Sequence, residues 1–484
     1  MDSFAISIDC CPDMVQRLFT IVKENPVSEL TINTVKMSKV EQALKAANET
    51  RALRIGSGIL NEVAGLFKEQ FAGRKAVVVA DVTTYRVAGE RVEKELRNAN
   101  IELLPSFIFT DSDLYAEYSY VDRLVESLKV HDAIPVAVGS GTINDLTKLA
   151  SHLVGRRYMC VATAASMDGY TAFGASITAN GAKQTFSCPA PQAVLADIEI
   201  IKKAPKPMTA SGYADLFAKV TAGADWILAD WMGVEDIDEK AWSIVQDGLH
   251  DALSNPEGAV AGDEKAVSQL IEGLMLGGFA MQWSKSSRPA SGAEHQFSHL
   301  WNMEHHLNQG EHVSHGFQVS IGMLAVTAFY EQVLNTPLEK LDVEACCAAW
   351  PEPEIADKVA LDMFVGTDFP AIGLQETKAK YVTREQLAIQ LRQLKEYWPE
   401  IRERLSKQLI PYKEVKQSLR QVGAPVEPEQ IGITRKRLRE TFVRAQFIRR
   451  RFTVLDLAVR TGYMDQWLDG LFGKGKIWEI GRAS

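Results

Sequence analysis

Between residues 75 and 164, short apolar segments alternate with segments whose apolar residues recur at helical spacing. The apolar segments have the length and β-branched content of buried strands. Parallel strands need such crossover helices, whereas antiparallel strands can be joined by short turns. The alternation therefore predicts a parallel, doubly wound α/β sheet with right-handed crossovers. The predicted strands are KAVVVAD (75–81), ELLPSFIFT (102–110), IPVAVGS (134–140) and YMCVATA (158–164).

The pattern changes near the middle of the chain. Residues 185–207 are rich in proline and show no helical period, and almost every apolar pattern after them has helical spacing. We therefore predict two domains. The first is an α/β dinucleotide-binding domain over residues 1–203, with an N-terminal extension over about residues 1–50. The second is an all-α domain over residues 204–484, whose last hundred or so residues add further helices.

Composition and charge exclude several classes of protein. The formal net charge is −9 and the six cysteines form no CxxC pair, which disfavours a nucleic-acid binder and a disulfide-stabilised secreted protein. The first residues lack the basic segment and the following apolar segment of a secretory signal. No apolar run is as long as a membrane span, which needs about 18 residues. We therefore expect a cytoplasmic protein without a membrane span, and the sequence leaves a homo-oligomer open.

A glycine-rich turn follows the strand at residues 134–140. Gly-Ser-Gly-Thr (139–142) leads from this strand into a helix that we predict to begin at about Asn144. Glycines let the backbone approach a phosphate, and a helix N-terminus offers free N–H groups and a favourable dipole. The turn is neither GxGxxG nor a P-loop, so an ordinary strand–helix turn is the alternative. Its place at the carboxyl end of a strand favours a ligand site.

Two aspartates follow predicted strands. Asp81 ends the strand at residues 75–81, where a carboxylate either accepts hydrogen bonds from an adenosine ribose or caps the next helix. Asp168 follows the small residues of ATAASMDGYTAF (162–173), which admit a flat ring or a pyrophosphate close to the backbone. Asp168 therefore either binds a substrate hydroxyl through its carboxylate or is an ordinary turn residue.

Six of the nine histidines fall between residues 295 and 315. His295 and His299 are four residues apart and share one face of a helix, and His315 opens the next helix. Asp215, on an earlier helix, could supply an oxygen ligand to a cation that these imidazoles bind. Two imidazoles and one carboxylate, with an open fourth position, are the ligand set of catalytic zinc sites. The other members of the cluster are expected to be solvated: His305, His306 and His312.

Asp215 and Lys219 are four residues apart in GYADLFAKVTAGADW (212–226). Such a pair on one helix is usually a solvated surface pair worth about a few tenths of a kcal/mol. The small apolar residues around this pair favour a buried helix instead. Because a buried carboxylate needs a charged partner or a metal ion, the segment is a second indication of a metal site.

Five segments occur in the order GSGTINDLTK, ATAASMDGYTAF, GYADLFAKVTAGADW, SSRPASGAEHQFSHLW and HGFQVSIGM. Together they resemble the glycerol-1-phosphate dehydrogenase branch of the iron-containing alcohol dehydrogenase and dehydroquinate synthase-like superfamily, over about residues 50–330. The resemblance implies an N-terminal α/β nucleotide-binding domain, a C-terminal helical domain, and a cleft between them for cofactor, metal and substrate. It also implies reversible hydride transfer between NAD or NADP and a secondary alcohol, with glycerol 1-phosphate and dihydroxyacetone phosphate as the substrate pair.

The resemblance also implies roles for individual residues. The implied metal ligands are Asp215, His295 and His315. Lys219 stands where iron-type relatives have a fourth ligand, a histidine, which favours zinc or another divalent ion in a three-ligand site. His299 and Asp168 are implied as catalytic groups, beside the metal and at the substrate hydroxyl. The implied cofactor residues are Asp81 at the adenosine ribose, Gly139, Ser140, Gly141, Thr142 and Asp145 along the pyrophosphate, and Thr163 and Ser166 at the nicotinamide.

A phosphorylated substrate needs cationic donors, and we predict Arg288 and Lys285 for this role. The basic segment at residues 435–451 is either a site for an anionic partner or, as its helical apolar spacing favours, the solvated face of a packed helix. Alternatives to the phosphorylated substrate are glycerol or another polyol, a dehydroquinate-synthase-like cyclisation, and a non-enzymatic binding protein. The role of residues 370–484 is left open.

Overall fold

The computed structural model of the chain describes residues 37–179 and 182–481. Residues Lys39–Ser484 form one structural unit. The expectations that concern the first 36 residues lie outside the described residues. They include the absence of a secretory signal and most of the predicted N-terminal extension.

A six-stranded parallel sheet lies at the centre of the N-terminal part of the chain, as the alternation predicts. The strands in chain order are β1 (Ala52–Gly56), β2 (Ala76–Asp81), β3 (Phe107–Phe109), β4 (Ile134–Gly139), β5 (Met159–Ala162), β6 (Ala175–Ala179), β7 (Ala182–Phe186) and β8 (Ala193–Asp197). The sheet has the order β1–β8–β5–β4–β2–β3, and β6 and β7 form a separate antiparallel hairpin. The four predicted strands correspond to β2–β5, whereas β1 and β6–β8 were not predicted.

Alternate residues of the central strands face two apolar cores. Val77 and Val79 of β2 pack into one core, and Val78 and Ala80 pack into the other. A strand that is apolar on both faces is typical of a parallel sheet covered by helices on both sides. The helices of this α/β region are α1 (Lys39–Ala46), α2 (Val63–Gln70), α3 (Val82–Thr84), α4 (Glu90–Asn98), α5 (Tyr118–Lys129), α6 (Gly141–Leu153) and α7 (Ile198–Ile201), with a 3-10 turn at Ile59–Glu62 and a π-helical turn at Tyr85–Gly89.

From Lys206 onward the described chain is helical, apart from the two-residue strands β9 (Leu307–Asn308) and β10 (Glu311–His312). The boundary predicted at residues 203–204 falls just before this helical region, and it stays a prediction because both regions belong to one unit. The helices are α8 (Lys206–Phe217), α9 (Lys219–Trp231), α10 (Glu239–Gln246), α11 (Leu249–Leu253), α12 (Pro256–Ala261), α13 (Glu264–Ser284), α14 (Ala293–Met303), α15 (His315–Leu334), α16 (Val343–Ala349), α17 (Pro353–Asp362), α18 (Ile372–Lys380), α19 (Arg384–Glu396), α20 (Trp398–Gln408), α21 (Tyr412–Val422), α22 (Arg435–Ala445), α23 (Val454–Thr461) and α24 (Met464–Phe472), with 3-10 turns at Arg288–Ala290, Leu338–Lys340, Pro428–Ile431 and Gln446–Ile448.

α15 is the central helix of this region. Among the described residues it is the one helix long and apolar enough to cross a membrane, and 78% of its most apolar window is buried inside the protein. α8 and α14 pack against it. The ring of Phe329 lies 5.5 Å from Trp467 of α24 and 4.9 Å from Phe442 of α22, measured between ring centroids. α15 is therefore a core helix of the folded chain.

The C-terminal residues, whose role the sequence leaves open, complete this core. Trp301 of α14 is fully buried and donates a hydrogen bond from Nε1 to Thr441 Oγ1 at 2.9 Å. Phe297 of the same helix packs edge to face against Phe442, with ring centroids 4.9 Å apart. Because aromatic side chains from both parts of the chain fill one core, the last helices are an integral part of the helical region.

The close packing of α15 on α8 requires glycine at position 316. A Cβ on Gly316 would lie 2.0 Å from the carbonyl oxygen of Ser211, so one of the two helices would have to move. We expect Gly316→Ala to lower the free energy of unfolding by about 1–3 kcal/mol, measured by denaturant-induced unfolding. Gly65→Ala is the control, because nothing lies within 4 Å of a Cβ at this exposed helical site. Equal stability of the two variants would contradict the close approach.

Candidate metal and nucleotide site

Asp215, His295 and His315 meet at one point although they are far apart in the chain. Asp215 lies near the end of α8, His295 lies in the first turn of α14, and His315 is the first residue of α15. One donor atom from each lies within 4.8 Å of the others, and His295 Nε2 is 3.5 Å from Asp215 Oδ1. Two donors at about 2.1 Å from one tetrahedral zinc ion lie about 3.4 Å apart. The three side chains therefore fit a bound divalent ion.

Glu294, for which the sequence predicted no role, fixes the orientation of His295. Its Oε1 accepts a hydrogen bond from His295 Nδ1 at 2.8 Å, so that Nε2 faces Asp215 and stays available as a ligand atom. The backbone N–H of Gly292 and the hydroxyl of Thr221 also donate to Glu294, which is fully buried. A carboxylate behind a metal-binding histidine holds its ring and its tautomer. The signal in the sequence is the acidic residue immediately before His295.

Lys219 bridges two carboxylates beside the three ligands. Its Nζ lies 2.9 Å from Asp215 Oδ1 and 2.6 Å from Asp168 Oδ2, and the side chains of Lys219 and Asp215 are fully buried. The prediction of a buried pair is confirmed, and the surface-pair alternative is wrong. Burial by itself raises the pKa of Asp215, but the Lys219 ammonium and His295 outweigh it and hold that pKa well below its usual range. Asp215 is therefore an anionic side chain inside a buried cluster, as a metal ligand would have to be.

Asp168 lies next to the ligands and lines the large cleft described below. Its backbone N–H donates to Asp215 Oδ2 at 3.1 Å, while its carboxylate bonds to Lys219. Burial and the nearby Asp215 raise the pKa of Asp168. Asp168 and Asp215 share one ammonium group, and a divalent cation bound beside Asp215 would add positive charge to this pair of carboxylates. The predicted contact of Asp168 with a substrate hydroxyl stays a prediction.

His299 lies one helical turn after His295 and beside the ligand set. Its ring centroid is 6.4 Å from that of His295 and 6.5 Å from that of His315. Its Nε2 lies 3.1 Å from Arg449 Nη2, which donates a hydrogen bond to it. This position agrees with a group that acts beside the metal, and the catalytic role of His299 stays a prediction.

The remaining histidines of the cluster divide into two kinds. His305 and His312 are exposed, as expected. His306 is 7% exposed, so the expectation that it is solvated is wrong. Its ring is held between the Ile431 carbonyl oxygen, 2.6 Å from Nε2, and Arg437 Nη1, 2.8 Å from Nδ1. His306 therefore joins the loop after α14 to the C-terminal helices.

The glycine-rich turn lies at the carboxyl end of β4, where a ligand site was expected. α6 begins at Gly141 with Ser140 as its N-cap, three residues earlier than predicted. A Cβ on Gly139 would lie 2.6 Å from the Cβ of Ile143, so the tight entry into the helix requires glycine. Ser140 Oγ is 2.8 Å from Ser166 Oγ, so the turn touches the second predicted cofactor segment. The free N–H groups of the first helical turn are available to an anion.

The predicted cofactor residues differ in their relation to the cleft. Thr163 lies behind the turn, where its backbone N–H donates to the Gly139 carbonyl oxygen at 3.1 Å. Asp81 caps α3, since its Oδ1 accepts from the N–H groups of Thr83 and Thr84, each at 2.8 Å. The capping alternative for Asp81 is confirmed, and its contact with a ribose stays a prediction. The predicted cofactor residues that line the cleft are Ser140, Gly141, Thr142, Asp145 and Ser166.

A cleft of about 1790 Å³ joins the glycine-rich turn to the histidine ligands. Its walls come from the α/β region, from α14 and α15, and from the chain that follows α22. Pockets for small molecules usually measure about 300–1,000 Å³. The cleft therefore has room for a dinucleotide together with a small substrate.

The two cationic residues predicted for a phosphate lie in different surroundings. Lys285 lines the cleft. Arg288 is 1% exposed, and its guanidinium donates to the carbonyl oxygens of Phe452 and Asp225. The prediction for Arg288 is therefore wrong, because its donors hold backbone carbonyl groups inside the core.

The basic segment at residues 435–451 ends in the cleft. Its helix, α22, buries Leu438 and Phe442 as the apolar spacing predicts. The helix ends at Ala445, however, and the following chain brings Arg449 and Arg451 to the cleft wall. The interpretation of the whole segment as a solvated helix face is therefore wrong at its C-terminal end.

Comparisons with known proteins agree with this geometry. A family model described as iron-containing alcohol dehydrogenase matches residues 54–205. A glycerol-1-phosphate dehydrogenase (NAD(P)+) of Geobacillus thermodenitrificans is 35% identical over 271 residues, which are 55% of this chain and 67% of the relative. Its counterpart from Pyrococcus furiosus is 34% identical over 274 residues, which are 57% of this chain and 77% of the relative. The chain belongs to the glycerol-1-phosphate dehydrogenase family.

Solved structures with lower sequence identity to this chain share its fold. A probable glycerol dehydrogenase from Sinorhizobium meliloti has a TM-score of 0.54 and 16% identity, and the match covers 88% of this chain and 99% of that chain. Glycerol dehydrogenase from Schizosaccharomyces pombe has a TM-score of 0.53 and 15% identity, with 87% and 91% covered. The predicted fold class, an α/β nucleotide-binding region followed by a helical region, is confirmed.

The role of Glu294 behind His295 can be tested with Glu294→Gln. Glutamine keeps the shape and a carbonyl acceptor for His295 but removes the negative charge. We expect about 10- to 100-fold weaker binding of Zn²⁺, measured by competition with a chromogenic chelator. Glu414→Gln, at an exposed position of α21 outside the cleft, is the control and is expected to bind zinc like the unchanged protein. Equal zinc affinities of the two variants would show that the charge of Glu294 does not contribute to metal binding.

Proposed function

We propose that the chain is a metal-dependent sn-glycerol-1-phosphate dehydrogenase that interconverts glycerol 1-phosphate and dihydroxyacetone phosphate with NAD or NADP. The observation that carries the proposal is the meeting of Asp215, His295 and His315 in a cleft that also holds a glycine-rich strand–helix turn. Relatives named for this activity at 34% and 35% identity support it. The cytoplasmic location and a homo-oligomeric state stay predictions.

The glycine-rich turn is proposed to hold the diphosphate of the dinucleotide. Ser140, Gly141 and Thr142 stand at the first turn of α6, where the N–H groups lack partners within the helix and the dipole favours an anion. Thr163 and Ser166 are proposed on the nicotinamide side. The bound nicotinamide supplies the hydride chemistry, and the protein orients it.

The two histidines and Asp215 are proposed to hold the metal, which supplies Lewis-acid chemistry at the substrate oxygen when bound. Lys219 stands beside Asp215, where a fourth protein ligand would be needed for an iron-type site. Its ammonium donates to Asp215 and Asp168, and a protonated amine has no lone pair to offer a metal. Three protein ligands with one position left for substrate favour Zn²⁺.

Asp168 and His299 are proposed to act on the substrate hydroxyl. The Asp168 carboxylate is held in place by Lys219 at 2.6 Å, which leaves its other oxygen to accept a hydrogen bond from the hydroxyl. His299 lies beside the ligand rings and at the cleft. We propose that it moves the hydroxyl proton, directly or through water, toward the solvent of the cleft.

Zinc-loaded protein is expected to reduce dihydroxyacetone phosphate with NADH or NADPH and to form sn-glycerol 1-phosphate. Absorbance at the nicotinamide band gives the rate, and a stereospecific assay of the product gives its chirality. Dihydroxyacetone, assayed in parallel, separates this activity from that of a glycerol or polyol dehydrogenase. Net oxidation of the cofactor separates it from a cyclisation in which NAD is regenerated. Binding of zinc and dinucleotide without turnover of either substrate would favour a binding protein.

Loss of one ligand is expected to remove both metal and activity. His315 is half-buried, so His315→Ala is a milder change than loss of the buried Asp215. Because Lewis-acid assistance is worth several kcal/mol, we expect kcat/KM to fall by about a thousandfold, together with most of the bound zinc measured by elemental analysis. His250→Ala, at an exposed position of α11 outside the cleft, is the control. Full metal content and turnover in His315→Ala would remove His315 from the ligand set.

A further inference from the structure

We propose that Arg449 and Arg451, in the chain between α22 and α23, bind the phosphate group of the substrate. The proposal rests on the proposed function and deepens it. It moves the anion subsite from Arg288, whose guanidinium is engaged in the core, to the C-terminal part of the chain, to which the sequence assigned no role in the site.

Arg449 contacts His299, which lies beside the proposed metal ligands. Its Nη2 is 3.1 Å from His299 Nε2, and the His299 ring in turn lies beside the rings of His295 and His315. Within the described residues, this is the one hydrogen bond that its guanidinium makes. An arginine side chain carries five N–H donors. Most of the donors of Arg449 are therefore left for a ligand in the cleft.

Arg451 is fixed to the wall of the cleft by neutral oxygens. Its Nη1 donates to the carbonyl oxygen of Ser291 at 2.7 Å, and its Nη2 donates to the hydroxyl of Ser287 at 2.9 Å. Both contacts orient the guanidinium without neutralising it. In the part of the chain that the structure describes, no carboxylate forms an ion pair with Arg451, and Glu235 and Glu294 act on it only from a greater distance.

Arg450, between these two residues, differs from them because its charge is neutralised by an ion pair. Its Nε and Nη2 bond to the two carboxylate oxygens of Glu376 at 3.0 and 2.9 Å. The middle arginine of the three is therefore paired with a carboxylate, and the outer two bring positive charge to the cleft with carboxylates nearby but, among the described residues, none in an ion pair with them. A bound anion is the missing counter-charge.

The surroundings of the outer arginines make that charge costly without an anion. Burial lowers the pKa of Arg449. Burial, together with the like charges of Arg449 and Arg288, lowers the pKa of Arg451 to about 9. A phosphate dianion relieves the repulsion, and its oxygens match the forked N–H groups of a guanidinium.

Arg449 contacts the imidazole of His299, whose ring neighbours those of His295 and His315. A small phosphate ester bound at the proposed ligands therefore has a guanidinium close by for its phosphate. The turn at β4 is on the α/β side of the cleft, whereas the arginines belong to the helical region. Cofactor diphosphate and substrate phosphate therefore have separate donors.

Arg449→Gln and Arg451→Gln, made in the full-length zinc-loaded protein, test the subsite. Titration calorimetry with inorganic phosphate measures anion binding without any turnover. Steady-state kinetics give KM for dihydroxyacetone phosphate, for the dinucleotide and for unphosphorylated dihydroxyacetone. Arg439→Gln removes the same charge from the surface of α22, where Arg439 pairs with Asp469 at 3.1 Å, and it is the matched control.

We expect each cleft variant to raise Kd for phosphate and KM for dihydroxyacetone phosphate about 10- to 100-fold. KM for the dinucleotide and all parameters of the Arg439→Gln control should change little, and kcat/KM should fall more for dihydroxyacetone phosphate than for dihydroxyacetone. Arg449→Lys, which keeps the charge but loses the fork, should give an intermediate KM.

Unchanged phosphate binding in both cleft variants would overturn the proposal. Equal losses for the phosphorylated and unphosphorylated substrates would also overturn it, because they would indicate a structural effect, for instance through His299. A raised KM for the dinucleotide alone would assign the arginines to the cofactor instead. If phosphate binding depends on the arginines but no substrate is turned over, the anion subsite stands and the proposed function fails.

Discussion

Asp215, Glu294 and Lys219 are buried where α8, α9 and α14 meet, with the half-buried Asp168 beside them, and the geometry of the proposed metal ligands depends on how these charges are balanced. Burying an unpaired charge costs several kcal/mol or more. Lys219 offsets this cost for Asp215 and Asp168 with contacts of 2.9 and 2.6 Å, and Glu294 is bonded to a backbone N–H, a hydroxyl and His295. A cation bound by the proposed ligands would add to this balance, and its binding would then be coupled to the stability of this region.

Close contacts between backbones bring these charges together. A Cβ on Gly212 would lie 2.0 Å from the Ala165 carbonyl oxygen, and one on Gly316 would lie equally close to that of Ser211. α8 therefore touches both the end of the sheet and the start of α15. These two close contacts place the proposed ligands and Asp168 around a single cleft. The glycine-rich turn lines the same cleft.

The local sequence predicted elements whose apolar pattern is complete in itself, such as β2, β4 and α6. It did not predict β1 and β8, which are five residues each and lie in segments without a clear period. Their pairing with each other and with β5 is a long-range property, since strand formation depends on neighbouring strands more than on intrinsic preference. The start of α6 at Gly141 also differed from expectation, because Ser140 takes the N-cap position and the glycine after it is already helical.

The sequence by itself determined the alternation that leads to a parallel sheet and the residue types that suit a three-ligand metal site. The first follows from spacing along the chain, and the second follows from spacing together with the chemistry of imidazole and carboxylate side chains. Neither depends on how the chain is folded. Only the tertiary structure decided that Arg288 binds carbonyl groups in the core while Arg449 and Arg451 reach the cleft. The reason is that a long cationic side chain turns toward whichever oxygens the folded chain places near it, and those oxygens come from residues distant in sequence.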